Sequence, residues 1–289
     1  MTTLALDEWT ARRGAYTRRV DAWIEPHLDR RRRGLAHPVL DFLFTYYSFR
    51  PAQLRRWQPG GGVVLAGADP AEFGPDFVAS ADGAWLDESA VLRRRGGQVA
   101  WIRRLLVATA GRAAQLGCFG LHEWAMVYRQ PPEQLRHSAY PLRLGAASTA
   151  TVVEANPLRC SHVDAYRFFT APARPLNWLR PSREAQHEHE QPGCLHATMD
   201  LYKWAYKLSP LVPAELIADC FELAGAVRTL DMRASPYDLS ALGYEPVRVE
   251  TAAGRAEYAA GQRHFAERAA PLRTRLIVEC DRLLAASNG

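Results

Sequence analysis

The stretch Leu195-His196-Ala197-Thr198-Met199-Asp200-Leu201-Tyr202-Lys203-Trp204-Ala205-Tyr206-Lys207-Leu208 decides how the rest of the chain is read. Wound as a helix, Leu195, Met199, Tyr202 and Tyr206 fall on one apolar stripe, because side chains three and four residues apart share a face. His196, Asp200, Lys203 and Lys207 repeat the same steps on the adjacent stripe. An imidazole, a carboxylate and two ammonium groups therefore run along the edge of a buried surface. That carboxylate can activate water or orient the imidazole, or the stripe can be an ordinary ladder of ion pairs.

The same helical period extends outward over residues 213–228 and 254–286, with Pro271 expected to split the last helix in two. Upstream, residues 7–33 place Trp9, Tyr16, Val20, Trp23 and Ile24 between arginines, and Pro26 is expected to break or bend that helix. Its end, Arg30-Arg31-Arg32-Arg33, suits a solvated helix terminus or a phosphate clamp. Residues 37–50 are apolar nearly all round and predict a core helix, with Asp41 inside it needing a partner. Pro59-Gly60-Gly61-Gly62 predicts a turn into a short strand at Val63, Val64 and Leu65, and it lacks the Lys-Ser/Thr of a P-loop. Residues 66–90 predict an irregular loop, and helix resumes over 88–115, 121–129 and 162–169. Residues 177–193 predict a polar loop in which His187-Glu188-His189-Glu190 is solvated, and 244–250 a short extended segment. The expected fold class is mainly α: a single compact multi-helix domain over 1–289 with at most a minor short β element, residues 1–35 forming an N-terminal helical arm.

The composition narrows the function classes. No run of eighteen apolar residues exists, so no membrane span is expected. Five cysteines without a CxxC pair, and an N-terminus interrupted by Asp7, Glu8, Arg12 and Arg13, predict free thiols in a cytoplasmic protein. The formal net charge of +5 invites DNA as a partner, but of 36 basic residues all except Lys203 and Lys207 are arginine, which GC-rich coding also produces.

Three further strings concentrate polar groups: Gly120 to Arg129, containing His122, Glu123 and Trp124; Arg159 to Phe169, containing His162, Asp164, Tyr166 and Arg167; and Leu230 to Leu239, containing Asp231 and Arg233. The candidate catalytic residues are Asp200, His196 and Asp231. The candidate substrate-binding residues are His122, Glu123, Trp124, Arg129, His162, Asp164, Tyr166, Arg167, Tyr202, Trp204 and Arg233. No cofactor is required by this set. As an alternative, His122, His162, His196 and Asp200 make a nitrogen and oxygen donor set suited to zinc or iron, although none shows HExxH or ExxH spacing.

The strings His37-Pro38-Val39-Leu40-Asp41-Phe42-Leu43-Phe44-Thr45-Tyr46-Tyr47, His122 to Arg129, Gln191 to His196, Met199 to Lys207 and Leu230 to Leu239 resemble a bacterial family commonly labelled 3-methyladenine DNA glycosylase, from about residue 36 to the C-terminus. No helix-hairpin-helix signature is present. The resemblance implies a DNA-repair glycosylase that hydrolyses the N-glycosidic bond of alkylated purines. Such chemistry takes aromatic faces for a cationic base (Trp124, Tyr166, Tyr202, Trp204), a carboxylate for the sugar cation (Asp200 or Asp231) and arginines for phosphates (Arg129, Arg167, Arg233). The alternatives are a small-molecule enzyme, metal-dependent through the histidine and aspartate cluster and acting on an anionic or aromatic metabolite, and a non-catalytic ligand-binding protein.

Overall fold

The computed structural model describes residues 1–286. Among the described residues eleven α-helices and one four-stranded sheet follow in the order β1 (Thr2–Leu4), α1 (Leu6–Arg32), α2 (Phe42–Tyr46), α3 (Pro51–Arg55), β2 (Val63–Ala66), β3 (Phe77–Ser80), β4 (Gly83–Leu86), α4 (Glu88–Ala110), α5 (Leu121–Ala125), α6 (Gly145–Ala155), α7 (Val163–Tyr166), α8 (Gln186–His189), α9 (Leu195–Leu208), α10 (Ala214–Arg233) and α11 (Ala252–Ala286). The protein is mainly α, as its periodicity predicts. None of these helices is long and apolar enough to cross a membrane.

The contacts group the chain into two compact units. The first comprises Met1–Leu106, Leu201–Ala224 and the chain from Leu272 onward; the second comprises Val107–Asp200 and Gly225–Pro271.

In the first unit, α1 runs unbroken through Pro26. A proline inside a helix costs about 3 kcal/mol. Here Trp9, Tyr16, Val20, Ile24 and His27 are buried on both sides of it, and full burial of a large apolar side chain contributes about 1.5–3 kcal/mol each. Trp9 donates its indole N–H to the Ala66 carbonyl, stacks with Trp57 and meets Phe73 edge to face, and the Tyr16 hydroxyl donates to the Leu54 carbonyl at 2.5 Å. Residues 1–35 are thus part of a core, and not an arm. Pro271 likewise lies within α11 without dividing it.

The region predicted as an irregular loop, 66–90, carries the β3–β4 hairpin. The sheet order is β1-β2-β4-β3, with β1 parallel to β2 and the other pairs antiparallel. Phe77 pairs with Leu86 and both are buried, which sets the register; Asp69, Pro70, Gly74, Pro75, Asp76 and Asp82 lie in the connections between the strands. Gly83, at φ +151°, is required: a Cβ there would lie 2.0 Å from the Leu65 carbonyl oxygen.

Residues 37–50 do not make one helix; only Phe42–Tyr46 is helical. Asp41 explains the difference. Its carboxylate accepts hydrogen bonds from His27 Nδ1 (2.8 Å), Arg30 Nη2 (2.6 Å) and the backbone amide of His37 (2.8 Å), which folds the chain into a turn before α2. One member of the arginine run is therefore committed to a carboxylate, while Arg32 and Arg33 pair with Asp29 at the surface.

Burial alone would raise the Asp41 carboxyl, but the bonds from Arg30, His27 and His37 outweigh it and hold it below the usual range. A carboxylate depressed in the folded state stabilises above its unfolded pKa, and that stability is lost as pH falls through the folded value. Asp41→Asn is expected to cost about 1.5–3 kcal/mol at pH 7, the range for hydrogen bonds to a charged group. Urea melts of both proteins on acidification should converge below the ordinary carboxylate range; a difference independent of pH would refute the ionic role.

Candidate metal centre

In the second unit, α5 enters through two consecutive left-handed residues, Phe119 at φ 49° and Gly120 at φ 72°. Gly120 suits the turn, since a Cβ there would meet the Tyr258 ring at 3.0 Å. The turn delivers His122, Glu123 and Trp124 to the interior, all buried. His122 and Asp231 of α10 share a 2.8 Å hydrogen bond between Nε2 and Oδ1, and the other ring nitrogen, Nδ1, is 3.5 Å from the Cys118 sulfur. Arg228, one turn before Asp231, donates through Nη1 to Asp231 Oδ2 (2.8 Å) and to Glu123 Oε1 (2.9 Å).

Burial alone would neutralise the His122 imidazole, yet the Asp231 carboxylate holds its pKa well above the usual value, with Cys118 assisting. Asp231 is held well below the usual carboxylate range against its burial, chiefly by His122, His196 and Arg228. His196, on the first turns of α9, meets His122 edge to face at 4.6 Å; burial and the neighbouring His122 push its pKa well down. One donor atom from each of His122, His196 and Asp231 lies within 4.8 Å of the others.

A second group adjoins it. His162, just before α7, is 1% exposed and its ring centre lies 5.4 Å from that of His196. Its Nε2 is 3.4 Å from Asp200 Oδ2 and 3.6 Å from Glu190 Oε2, but neither ring nitrogen makes a hydrogen bond. Gln186 donates to Glu190 at 2.8 Å, and Arg112 donates to the backbone carbonyls of Glu190 and His187. The 177–193 segment is accordingly anchored, and Glu190 is buried at 2% exposure where the sequence predicts a solvated tract. Cys160 and Cys194 are free thiols; burial raises both, and the other thiols of the cluster raise them further.

The structure thus brings together six of the residues singled out from sequence: His122, Glu123, His162, His196, Asp200 and Asp231. The other residues make contacts of their own. Tyr202 and Trp204 belong to the first unit, where Tyr202 packs on Tyr47, Tyr206 and Phe221 and Trp204 on Trp101. Asp164 is buried in an ion pair with Arg183, and Arg167 lies over Phe168 and near Asp164. Tyr166 packs against Phe169. Arg129 pairs with Glu154 at the surface, and Arg233 with Glu257. Trp124 presents no face to a ligand: it is wholly buried, with its indole N–H on the Ala234 carbonyl.

Sequence reasoning missed Cys118, Cys160, Cys194, Glu190 and Arg228. A signal for the thiols was present: each histidine of the cluster follows a cysteine, as Cys118-x-x-x-His122, Cys160-x-His162 and Cys194-x-His196. No family model, curated protein or solved structure matches the chain.

Proposed function

We propose that the chain is a metal-dependent enzyme of small-molecule chemistry, its ion held by His122, His196 and Asp231. The observation that carries this reading is the approach of those three donor atoms to within 4.8 Å in a buried setting. Zinc ligands at about 2.0–2.2 Å stand roughly 3.3–3.6 Å apart in a tetrahedron. The 2.8 Å contact between His122 and Asp231 need open by only about half an ångström to admit an ion. Two imidazoles and a carboxylate suit zinc or iron and leave a coordination position open, where the ion supplies Lewis acidity. Arg228 on Asp231 and Cys118 on His122 Nδ1 are the outer contacts that orient such ligands. The carboxylate partners of Arg129, Arg167 and Arg233 favour this reading over phosphate binding by the same arginines.

The Cys118 contact favours a second reading, in which its thiol is a nucleophile, His122 its base and Asp231 the orienting acid. One experiment separates the two. Purified protein should carry about one equivalent of zinc or iron, lost in His196→Ala and Asp231→Asn and kept in Cys118→Ser. Protein that holds no metal and takes up neither ion from solution defeats the first reading. The second then requires Cys118 to be alkylated by iodoacetamide much faster than Cys160 or Cys194, and to lose that advantage in His122→Ala.

A further inference from the structure

The first unit contains a cavity of about 360 Å³ that the metal-centre reading does not use, between α3, the β3 region, the start of α4 and the end of α9. That size falls in the ordinary range of small-molecule sites, about 300–1,000 Å³. Its lining includes three cations, Arg56, Arg95 and Lys207, against one acid, Asp76. The Asp76 carboxylate is paired with Arg94 and also acts on the Arg95 charge, so one shared acid faces the three cations of the lining.

Arg95 is the informative group. It is half-buried, and its guanidinium donates to the Ser209 carbonyl at 2.7 Å, to the Lys207 carbonyl and to Gln98 Oε1 at 3.3 Å. All three acceptors are neutral, and among the described residues Arg95 has no carboxylate within ion-pair distance. A guanidinium fixed by carbonyls has its direction set, and with Asp76 shared with Arg94 its charge is only partly compensated, which is the arrangement that receives an anion. Arg56 is exposed at the same cavity and also forms no ion pair among the described residues. The opposite character is supplied by Phe49 and Tyr206, whose rings stack at 5.0 Å and 13° and form an apolar wall.

From these features we infer that the cavity binds a ring-bearing phosphate ester of mononucleotide size, its phosphate toward Arg95 and Arg56 and its ring against Phe49 and Tyr206. Cations and a stacked aromatic pair in one lining match no purely inorganic anion and no neutral ring. The site lies within one unit and involves none of the candidate metal ligands.

Adenosine 5′-monophosphate is the probe, titrated calorimetrically into the full chain with adenosine and inorganic phosphate as comparisons. Saturable binding is expected for the monophosphate, at least tenfold tighter than for adenosine or phosphate alone, and weakened as salt rises. Arg56→Ala, which removes an exposed side chain, should weaken it about tenfold while leaving the melting temperature of the free protein unchanged. Arg95→Met should weaken it further, but it also removes bonds to the 207–209 backbone, so Arg56→Ala is the decisive variant. No saturation of the monophosphate by about 10 mM, equal affinity for adenosine, or binding indifferent to Arg56→Ala would each overturn the site. Chelated, metal-free protein should bind the probe as well as untreated protein, which keeps this test separate from that of the metal centre.

Discussion

Arg228→Met is expected to lower the unfolding free energy by about 3–5 kcal/mol, the range for breaking a buried ion pair from one side. The side chain is 2% exposed and its Nη1 donates to Asp231 and Glu123 together, so methionine would take that partner from two interior carboxylates, with His122 still hydrogen-bonded to Asp231. Methionine matches much of the volume, which isolates the charge from the packing. Arg228→Lys keeps the charge but loses the planar fork, and it should fall between the two. Urea melts at pH 7 measure the effect through the midpoint, provided the denaturant slope is unchanged. A loss below about 1 kcal/mol would show that another cation neutralises Asp231 and Glu123. Repeating the melt after chelation then identifies that cation as a bound ion, because a ligand of the folded state stabilises it by mass action.

The buried network also explains which parts of the site were legible in sequence. Helical periodicity located α9, and with it His196 and Asp200, because they lie on a regular helix whose faces are set by a repeat of 3.6 residues; Asp231 stood out by residue type beyond the expected 213–228 helix, and α10 runs on through it. His122 and His162 stood out by residue type, but nothing local says that a left-handed turn at Phe119 and Gly120 aims His122 at α10. Glu190 was read as solvated because its neighbours His187 and Glu188 are polar; its burial follows from Gln186 and Arg112, the latter distant in sequence. Asp41 is the reverse case. Its presence in an apolar run predicted a buried carboxylate in need of a partner, and that need, met by His27, Arg30 and the His37 amide, is what cut the expected 37–50 helix short. The β3–β4 hairpin was hidden because its strands are four residues each, too short for alternation to outweigh the surrounding Asp, Gly and Pro.

The aromatic residues raise the question of whether Trp124 stacks on a ligand or supports His122 from behind. Trp124→Ala is expected to cost about 3–5 kcal/mol, the range for deleting a large aromatic from a core. The indole is wholly buried, it donates to the Ala234 carbonyl at 2.9 Å, and the Arg143 guanidinium, itself paired with Glu250, lies 5.6 Å from its ring centre. Ala234 ends the turn of chain that follows Asp231 on α10, so this hydrogen bond ties the α5 side of the site to the Asp231 side. Trp124→Phe separates packing from hydrogen bonding. It keeps most of the apolar volume but leaves the Ala234 carbonyl without its indole donor, at an expected cost of about 1–3 kcal/mol. A residue that served as a stacking platform for substrate would behave in the opposite way. Phenylalanine would then leave stability unchanged and alter ligand affinity alone, since any aromatic face can stack. Melts of the two variants at equal metal loading decide between these roles. Because the indole has no exposed surface, the loss in Trp124→Phe should appear in stability, and metal content should fall only to the extent that the shared backbone holding His122 against Asp231 is loosened.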